Sequence, residues 1–234
     1  MAWATGINDH GQVVGVSGKC MSPNFNLTGR NPKHGVIWQN GKVSDLGDLG
    51  GTRSTFPWAI NEDGQVTGYS TLPDNATVHT FLWQDGSMTD LGTVPPDVNS
   101  QAFGLNGSGD VVGGSGCEFI CRAYVWHDGV MTDLNTLIAP GSAPDYLLFG
   151  NDIDDQGVIA LYAFNTVNHA SHAAVAIPCD DLPGVPGCNA DALTASSAKA
   201  AALKAELMRR WLAATLPPEV RRLMQIRSRS PETE

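Results

Sequence analysis

Four polar residues recur just before a turn glycine, in positions from which they could bind a ligand. Asn8, Asn61, Asn106 and Asp154 occupy equivalent places in "INDHG", "INEDG", "LNGSG" and "IDDQG". Amide and carboxylate oxygens repeated around one axis are suited to a cation or to sugar hydroxyl groups. Asn and Asp are also preferred in turns that precede Gly, so turn formation is the alternative explanation. The sequence therefore predicts four ligand-binding candidates that could equally be structural.

Carboxylates are densest in the fourth of these segments. Asp152, Asp154 and Asp155 are candidate ligands for a cation such as Ca²⁺, although their spacing is not that of an EF-hand loop. Asp152, Asp154 and Glu62 are also candidates for hydrolytic catalysis, because a glycosidase needs two carboxyl groups about 5–9.5 Å apart. The sequence has no nucleophile elbow, P-loop or dinucleotide fingerprint. A hydrolase of esters, phosphoesters or glycosides would therefore depend on these carboxylates.

A basic residue opens four further segments that resemble one another. These residues are His34, His79, Arg122 and His172. If they lie on third strands, about two spacings of ~4.8 Å from the innermost strand, they are too far apart to share one metal ion. Each is therefore predicted to hydrogen-bond a turn or loop of the neighbouring sheet, a role that Arg fills as well as His.

Two repeated half-motifs must position all of these residues. The first is "INDHGQVVG" with its copies, whose glycines Gly11, Gly64, Gly109 and Gly157 are 53, 45 and 48 residues apart. The second is "HGVIWQNGKVSDLG", which returns as "HTFLWQDGSMTDLG", as "RAYVWHDGVMTDLN" and in reduced form as "HAAVAIP". Each half-motif has the pattern of a β-hairpin with a glycine turn, so a repeat supplies four short strands.

Such sheets cannot be stable alone, and stacking them radially gives a β-propeller. The sequence thus predicts an all-β fold, a propeller of four or five four-stranded blades built from repeats of about 45–50 residues. Trp38, Trp83 and Trp126 are predicted to fill the space between neighbouring blades. The aspartates of the "DL" pairs are predicted to accept local backbone hydrogen bonds.

Both half-motifs, recurring in order over about residues 4–178, resemble the HAF-type extracellular repeat of bacterial secreted proteins. The resemblance implies a propeller-like fold and a secreted parent protein, in the extracellular space or the periplasm, and it implies no agreed catalytic role. The fourth copy departs from the pattern because it lacks the Trp and the closing "DLG" strand. We therefore expect a binding or interaction module that uses a central funnel, with a carbohydrate, a small ligand or a protein as partner, and the propeller hydrolase as the alternative.

The composition divides the chain into three parts. Residues 1–178 form the predicted repeat domain, 179–193 a linker rich in Cys, Pro and Gly, and 194–234 a helical extension with a disordered end. The helix is predicted to dock on the domain or to drive self-association. A formal net charge of −10 argues against a general nucleic-acid surface, and no apolar run is long enough for a transmembrane segment.

Two cysteine pairs close short loops. Cys117 with Cys121 and Cys179 with Cys188 could form disulfides, which would leave Cys20 single. Zinc binding is the competing interpretation, although neither spacing is that of a zinc knuckle.

Overall fold

The four copies of the repeat fold into four small antiparallel sheets. The computed structural model describes residues 2–18, 34–117, 120–138 and 145–178. Within these ranges all regular secondary structure is β-strand, except for one 3₁₀ turn at Leu134–Thr136. The predicted all-β class is therefore confirmed. The proposed linker 179–193, the proposed helical extension 194–234, Cys20 and the pair Cys179 and Cys188 lie outside the described residues.

Sheets 1 to 3 contain four strands each, paired in chain order. Sheet 1 consists of β1 (Trp3–Ile7), β2 (Val13–Ser17), β3 (His34–Gln39) and β4 (Lys42–Asp45). Sheet 2 consists of β5 (Thr55–Ile60), β6 (Val66–Thr71), β7 (Val78–Gln84) and β8 (Ser87–Gly92). Sheet 3 consists of β9 (Ser100–Leu105), β10 (Val111–Ser115), β11 (Arg122–His127) and β12 (Val130–Asp133). Sheet 4 has three strands in the described residues: β13 (Asp145–Ile153), β14 (Ile159–Asn165) and β15 (Ser171–Ala176).

Glycine turns set the register of the outer hairpins. Between β3 and β4, Asn40 (φ 51°) and Gly41 (φ 74°) are both left-handed, as a two-residue type I′ turn requires. Asp85 and Gly86 repeat this geometry between β7 and β8, as do Asp128 and Gly129 between β11 and β12. The "QNG", "QDG" and "HDG" segments form these hairpin turns because Asn, Asp and Gly are the residues that most readily adopt a positive φ.

Apolar side chains join each sheet to the next one along the chain. The side of a sheet that packs on the preceding sheet is called its leading face, and the opposite side its trailing face. In the core cluster between sheets 1 and 2, the trailing face of sheet 1 supplies Val14, Ile37 and Leu46. The leading face of sheet 2 supplies Ile60, Val66, Trp83 and Met88 to the same cluster.

The same arrangement joins the later sheets. Trp126 and Met131 lie on the leading face of sheet 3 and pack against sheet 2, together with Leu105 and Val111. Trp83 and Trp126 therefore occupy the inter-sheet positions expected from the repeat. The third interface joins Val112 and Leu134 of sheet 3 to Ile153 and Ile159 of sheet 4.

The leading face of sheet 1 exposes apolar side chains at the positions that are packed in sheets 2 and 3. Ile7 is 69% exposed and Val43 56% exposed, whereas their equivalents Ile60 and Met88 pack in a core cluster. Trp38, which pairs across the hairpin with Val43, is partly buried. The contacts between different sheets join mainly sheets that are consecutive in the chain, and the described residues form no closed ring.

The first strand of each sheet carries a β-bulge three residues before the polar turn residue. Thr5, Trp58 and Phe103 are each skipped by the pairing with the second strand. Sheet 4 has its bulge at Asn151, and a second one at Leu148. A bulge changes the direction of the side chain that it carries. Because the bulge recurs at the same position in every sheet, it redirects equivalent side chains of all four first strands.

Candidate functional site on the first strands

The three predicted asparagines form a ladder that runs from sheet to sheet. Asn8 Nδ2 donates to the backbone oxygen of Asn61 (3.0 Å), and Asn61 Nδ2 donates to that of Asn106 (2.9 Å). Asn106 Nδ2 continues to the backbone oxygen of Asp154 (3.2 Å). The structure thus brings together all four predicted ligand-binding residues, each at the end of a first strand.

Each asparagine of the ladder also closes its own turn. Asn61 Oδ1 accepts from the Gln65 backbone N–H (2.9 Å), and Asn61 Nδ2 donates to Gln65 Oε1 (2.7 Å). Asn8 makes the same two hydrogen bonds with the side chain and the backbone N–H of Gln12, and Asn106 makes them with those of Asp110. These contacts use both amide hydrogens, and the three asparagines are buried. The spacing of Asn with Gln or Asp four residues later is a sequence signal for this turn.

Replacing Asn61 with Asp is expected to lower the free energy of unfolding by about 2 kcal/mol. The substituted carboxylate can still accept from the Gln65 N–H, but it faces the Asn106 carbonyl and the Gln65 amide oxygen without a proton to donate. Urea denaturation at neutral pH measures the loss. Asp63→Asn, an exposed change two residues away, is the control and should leave stability within about 0.5 kcal/mol of the parent. Equal stability of both variants would contradict an energetic role for the ladder.

The carboxylate candidates accept backbone hydrogen bonds around this ladder. Glu62 accepts from the Asp9 N–H at 3.1 Å, and Asp155 accepts from the Gly107 N–H at 2.7 Å. Asp154 accepts from the N–H groups of Gln156 and Val158 within its own turn. The described residues contain no group of three or more His, Cys, Asp or Glu side chains placed to hold a metal ion. Asp152, Asp154 and Asp155 are thus not gathered into a cation site, and the hydrolase interpretation stays a prediction.

The basic residues of the third strands pair with the aspartates of the "DL" motifs. His34 Nδ1 lies 2.8 Å from Asp45 Oδ2, and His79 Nδ1 lies 2.8 Å from Asp90 Oδ1. Arg122 takes the same position and contacts Asp133 at 3.0 Å. The partner is on the fourth strand of the same sheet and not on a turn of the neighbouring sheet as predicted. Each Asp lies opposite the residue two positions after the basic one, so the two side chains are diagonal neighbours on one face of the sheet. The aspartates also accept the local backbone hydrogen bonds expected from the sequence.

Arg122 differs from the two histidines in reaching a second carboxylate. Its Nε lies 2.8 Å from Asp97 Oδ2, in the loop between sheets 2 and 3. Here the predicted contact to a neighbouring loop does occur. Arg supplies the extra donors that two carboxylates require, which explains why it replaces His at this position.

In the last sheet, His172 has different partners. Its Nε2 lies 3.1 Å from Asp145 Oδ1, and its Nδ1 lies 2.9 Å from the carbonyl oxygen of Ala173. The hydrogen bond to this carbonyl, followed by that to Asp145, raises the pKa of His172 above its usual value. The four basic residues therefore act separately and do not converge on one site.

An exposed pair elsewhere on the sheets makes His127 sensitive to pH. His127 Nδ1 is hydrogen-bonded to Asp110, at the positions where sheet 2 has Gln84 and Gln65 in contact. This hydrogen bond and the charges of Asp110 and Asp128 raise the pKa of His127. Because the folded-state pKa is raised, the stabilisation is complete below the unfolded value of about 6.5 and is lost as the pH rises through the folded value.

We expect an NMR titration of His127 to give a pKa above about 6.5. Asp110→Asn should return it towards that value, since the substitution removes the hydrogen-bonded charge. Thermal unfolding of the parent should lose the contribution of the pair over the pH range just above 6.5. Asp85→Asn, an exposed turn substitution in sheet 2, serves as the control. A titration of His127 that does not respond to Asp110→Asn would contradict this assignment.

A row of aromatic rings that the sequence did not predict crosses all four sheets, with five rings on the first strands and the sixth, Tyr162, on β14. The aromatic row consists of Trp3, Phe56, Trp58, Phe103, Phe149 and Tyr162. Successive ring centroids lie 4.9–6.2 Å apart. Trp58 is 37% exposed and Tyr162 39% exposed, so part of the row is open to solvent. For the five rings on first strands, the signal in the sequence is an aromatic residue three or five positions before the turn Asn or Asp.

Polar side chains interrupt the aromatic row at equivalent positions. Gln101 stands five residues before Asn106, where sheets 1 and 2 have Trp3 and Phe56. Thr5 and Asn151 occupy the bulge positions that carry Trp58 and Phe103 in sheets 2 and 3. The Thr5 hydroxyl donates to the Pro57 carbonyl oxygen at 2.8 Å. Rings with the amide groups of Gln101 and Asn151 between them form a surface that can both stack on a ligand and hydrogen-bond it.

The fold and this surface define a class of protein, an all-β repeat protein whose first strands present an aromatic row beside an asparagine ladder. The chain matches no protein-family model and no curated protein. The part of the chain that the structure describes contains no helix that could cross a membrane. Cys117 and Cys121 form a disulfide with a Cα–Cα distance of 4.2 Å, as the spacing allowed.

Proposed function

We propose that this protein is a binding module whose aromatic row takes an extended carbohydrate. The observation that carries the proposal is the continuity of the row, in which rings from four successive sheets lie within 4.9–6.2 Å of one another. Flat rings offer apolar platforms for the faces of sugar rings. Gln101 and Asn151 add hydrogen-bonding groups for hydroxyls along the surface.

The aromatic row supports this use better than the asparagine ladder does. The ladder asparagines are buried and donate both amide hydrogens within the protein. Trp58 and Tyr162, in contrast, keep more than a third of their surface exposed without being isolated from other rings. We therefore assign the binding surface to the aromatic row and not to the four turn residues predicted as ligand-binding candidates.

A fluorescence titration with a panel of soluble neutral and acidic oligosaccharides tests the proposal. At least one should change the tryptophan emission saturably, and Trp58→Ala should weaken its binding by about tenfold or more, because a stacked ring contributes on the order of 1.5 kcal/mol. Trp58→Phe keeps a platform and should retain most of the affinity. Val130→Ala, a change at an exposed apolar residue of the β11–β12 hairpin, is the control. Binding that is insensitive to Trp58→Ala would contradict the assignment.

The proposal includes a propeller-like arrangement of HAF-type repeats in an extracellular or periplasmic protein. Ile7 and Val43 support further packing on the leading face of sheet 1, because their equivalents in sheet 2 lie in an inter-sheet core. The Cys117–Cys121 disulfide supports an oxidising compartment. Self-association through residues 194–234 stays a prediction. Light scattering of the full chain measures it.

A further inference from the structure

Among the described residues, sheet 4 has no counterpart of the fourth strand that completes the other three sheets. In sheets 1 to 3, the third strand pairs antiparallel with β4, β8 or β12. The equivalent third strand of sheet 4 is β15, and no described strand pairs with its outer edge. A strand edge of this kind presents backbone N–H and C=O groups that can template another extended segment.

The three existing fourth strands share one sequence pattern and one set of contacts. They read "KVSDL", "SMTDL" and "VMTDL", that is, an apolar residue, Ser or Thr, Asp and Leu. Leu46 N–H donates to the carbonyl oxygen of Gly35 on the third strand at 2.9 Å. The Leu side chains are buried, with Leu46 3% exposed, and the Asp pairs with the basic residue that opens the third strand.

The matching groups of sheet 4 are present without such a partner strand among the described residues. Ala173 is the equivalent of Gly35, and its carbonyl oxygen accepts from the His172 side chain of the same strand. His172 is the equivalent of His34, which pairs with Asp45 of the fourth strand. Val175, the equivalent of Ile37, is 63% exposed, because no described sheet packs on the trailing face of sheet 4 as sheet 2 packs on that of sheet 1. The edge of β15 thus keeps the acceptor, the basic residue and the apolar position that a fourth strand uses.

We propose that the edge of β15 binds, by antiparallel strand addition, an extended segment of another polypeptide with the pattern apolar, Ser or Thr, Asp, Leu. The Leu N–H of the incoming segment takes the Ala173 carbonyl oxygen and displaces the His172 ring from it. The freed Nδ1 of His172 then pairs with the incoming Asp, as His34 Nδ1 does with Asp45, while Nε2 keeps its contact with Asp145. The incoming Leu covers Val175 and Ala160, the equivalents of the Ile37 and Val14 side chains that surround Leu46. Backbone hydrogen bonds supply affinity, and the Asp and Leu supply specificity.

The test uses the full chain and a synthetic peptide with the sequence Gly41–Gly47, labelled for fluorescence anisotropy. We expect saturable binding, accompanied by shifts of the His172 ring resonances while those of His127 stay unchanged. Replacing the peptide Leu with Ala should weaken binding by about tenfold, and replacing its Asp with Asn by about twofold to fivefold. N-methylation at the Leu removes the donor to Ala173 and should abolish binding with no change in the protein.

Three outcomes would overturn the proposal. The first is the absence of saturable binding to the full chain, which includes the case in which residues 179–234 of this chain already hold the edge. The second is binding that the N-methylated peptide reproduces, because strand addition requires that N–H. The third is binding that leaves the His172 resonances unmoved. Trp58→Ala should not alter peptide binding, so this experiment can fail independently of the carbohydrate proposal.

Discussion

Replacing Arg122 with Met is expected to lower the free energy of unfolding by about 3–5 kcal/mol, the usual cost of removing one partner from a buried ion pair. The Arg122 side chain is 11% exposed and lies between two carboxylates, of Asp97 (7% exposed) and Asp133 (6% exposed). Met keeps the apolar stem of Arg but removes the guanidinium. Two buried carboxylates would then face each other without a compensating charge, so the cost is mainly one of uncompensated burial.

The position of this cluster increases the effect of the substitution. Asp97 lies in the loop that joins sheets 2 and 3, and Asp133 also accepts from the N–H and side-chain amide of Asn135. Asn135 in turn donates to and accepts from the backbone of Leu147 in sheet 4. Loss of Arg122 therefore disturbs the connections among three sheets at once.

Urea denaturation of the Arg122→Met variant measures the loss, and Tyr146→Phe is the matched control. The Tyr146 hydroxyl is buried close to the same charges, burial raises its pKa, and it has no hydrogen-bond partner among the described residues. Removing it should change stability by less than about 1 kcal/mol, since no hydrogen bond is broken. A small loss for Arg122→Met, similar to that of the control, would show that the ion cluster is not a stabilising element.

The histidines of sheets 1 and 2 allow a sharper version of the same experiment. Arg122→His restores the residue type that pairs with Asp45 and Asp90 in those sheets, but it supplies too few donors for Asp97 and Asp133 together. We expect an intermediate loss, smaller than that of Arg122→Met. Adding Asp97→Asn to Arg122→His should recover part of it, because one buried charge is removed. Additive losses in the double variant would contradict this coupling.

Replacing Gly68 with Ala is expected to destabilise the protein by about 3 kcal/mol, at the upper end of the range for overpacking. A Cβ at this position would lie 2.0 Å from the Phe56 carbonyl oxygen and 2.8 Å from the Pro57 Cα. Both obstacles are backbone atoms of β5, opposite the bulge at Trp58. The strands can accept the methyl group only by moving apart, which also displaces the aromatic row.

Gly86→Ala is the control for the backbone effect of the same substitution. Gly86 has a φ of +86° and no atoms within 4 Å of its Cβ position, so its replacement costs about 1 kcal/mol of backbone strain and meets no obstacle. Thermal and urea unfolding of the two variants separate the steric clash from the loss of glycine flexibility. Gly113→Ala, with a Cβ 2.0 Å from the Gln101 carbonyl oxygen, should behave like Gly68→Ala. Equal losses at Gly68 and Gly86 would exclude the clash as the cause.

Much of the local structure could be predicted because each hairpin is encoded within a few residues. The Asn-Gly and Asp-Gly pairs fix the outer turns through their positive φ values, and the alternation of apolar residues fixes the strands on either side. The pairing of His34 with Asp45 was missed, although it follows from the register of one hairpin. The repeat period identified equivalent positions in the four copies, but not the direction in which their side chains point.

The candidate site depended on relations between sheets, which local sequence does not encode. Asn8, Asn61 and Asn106 were identified from the sequence, yet their role depends on carbonyl oxygens 45–53 residues away along the chain. The aromatic row was not predicted because five of its members alternate between two positions of the first strands, the sixth, Tyr162, lies on β14, and polar residues interrupt the row. Only the β-bulges and the stacking of the sheets bring the rings into contact.

The sequence by itself determined the all-β class, the repeat and the hairpin turns, since these follow from short-range backbone preferences. The tertiary structure alone decided that the buried asparagines connect neighbouring sheets, that Arg122 bridges two carboxylates and that the exposed rings form one surface. It also decided that the edge of β15 is left without a described partner strand. The reason is physical: hydrogen bonds and ring contacts between residues distant in the chain depend on how the sheets pack, and packing is set by all of the side chains together.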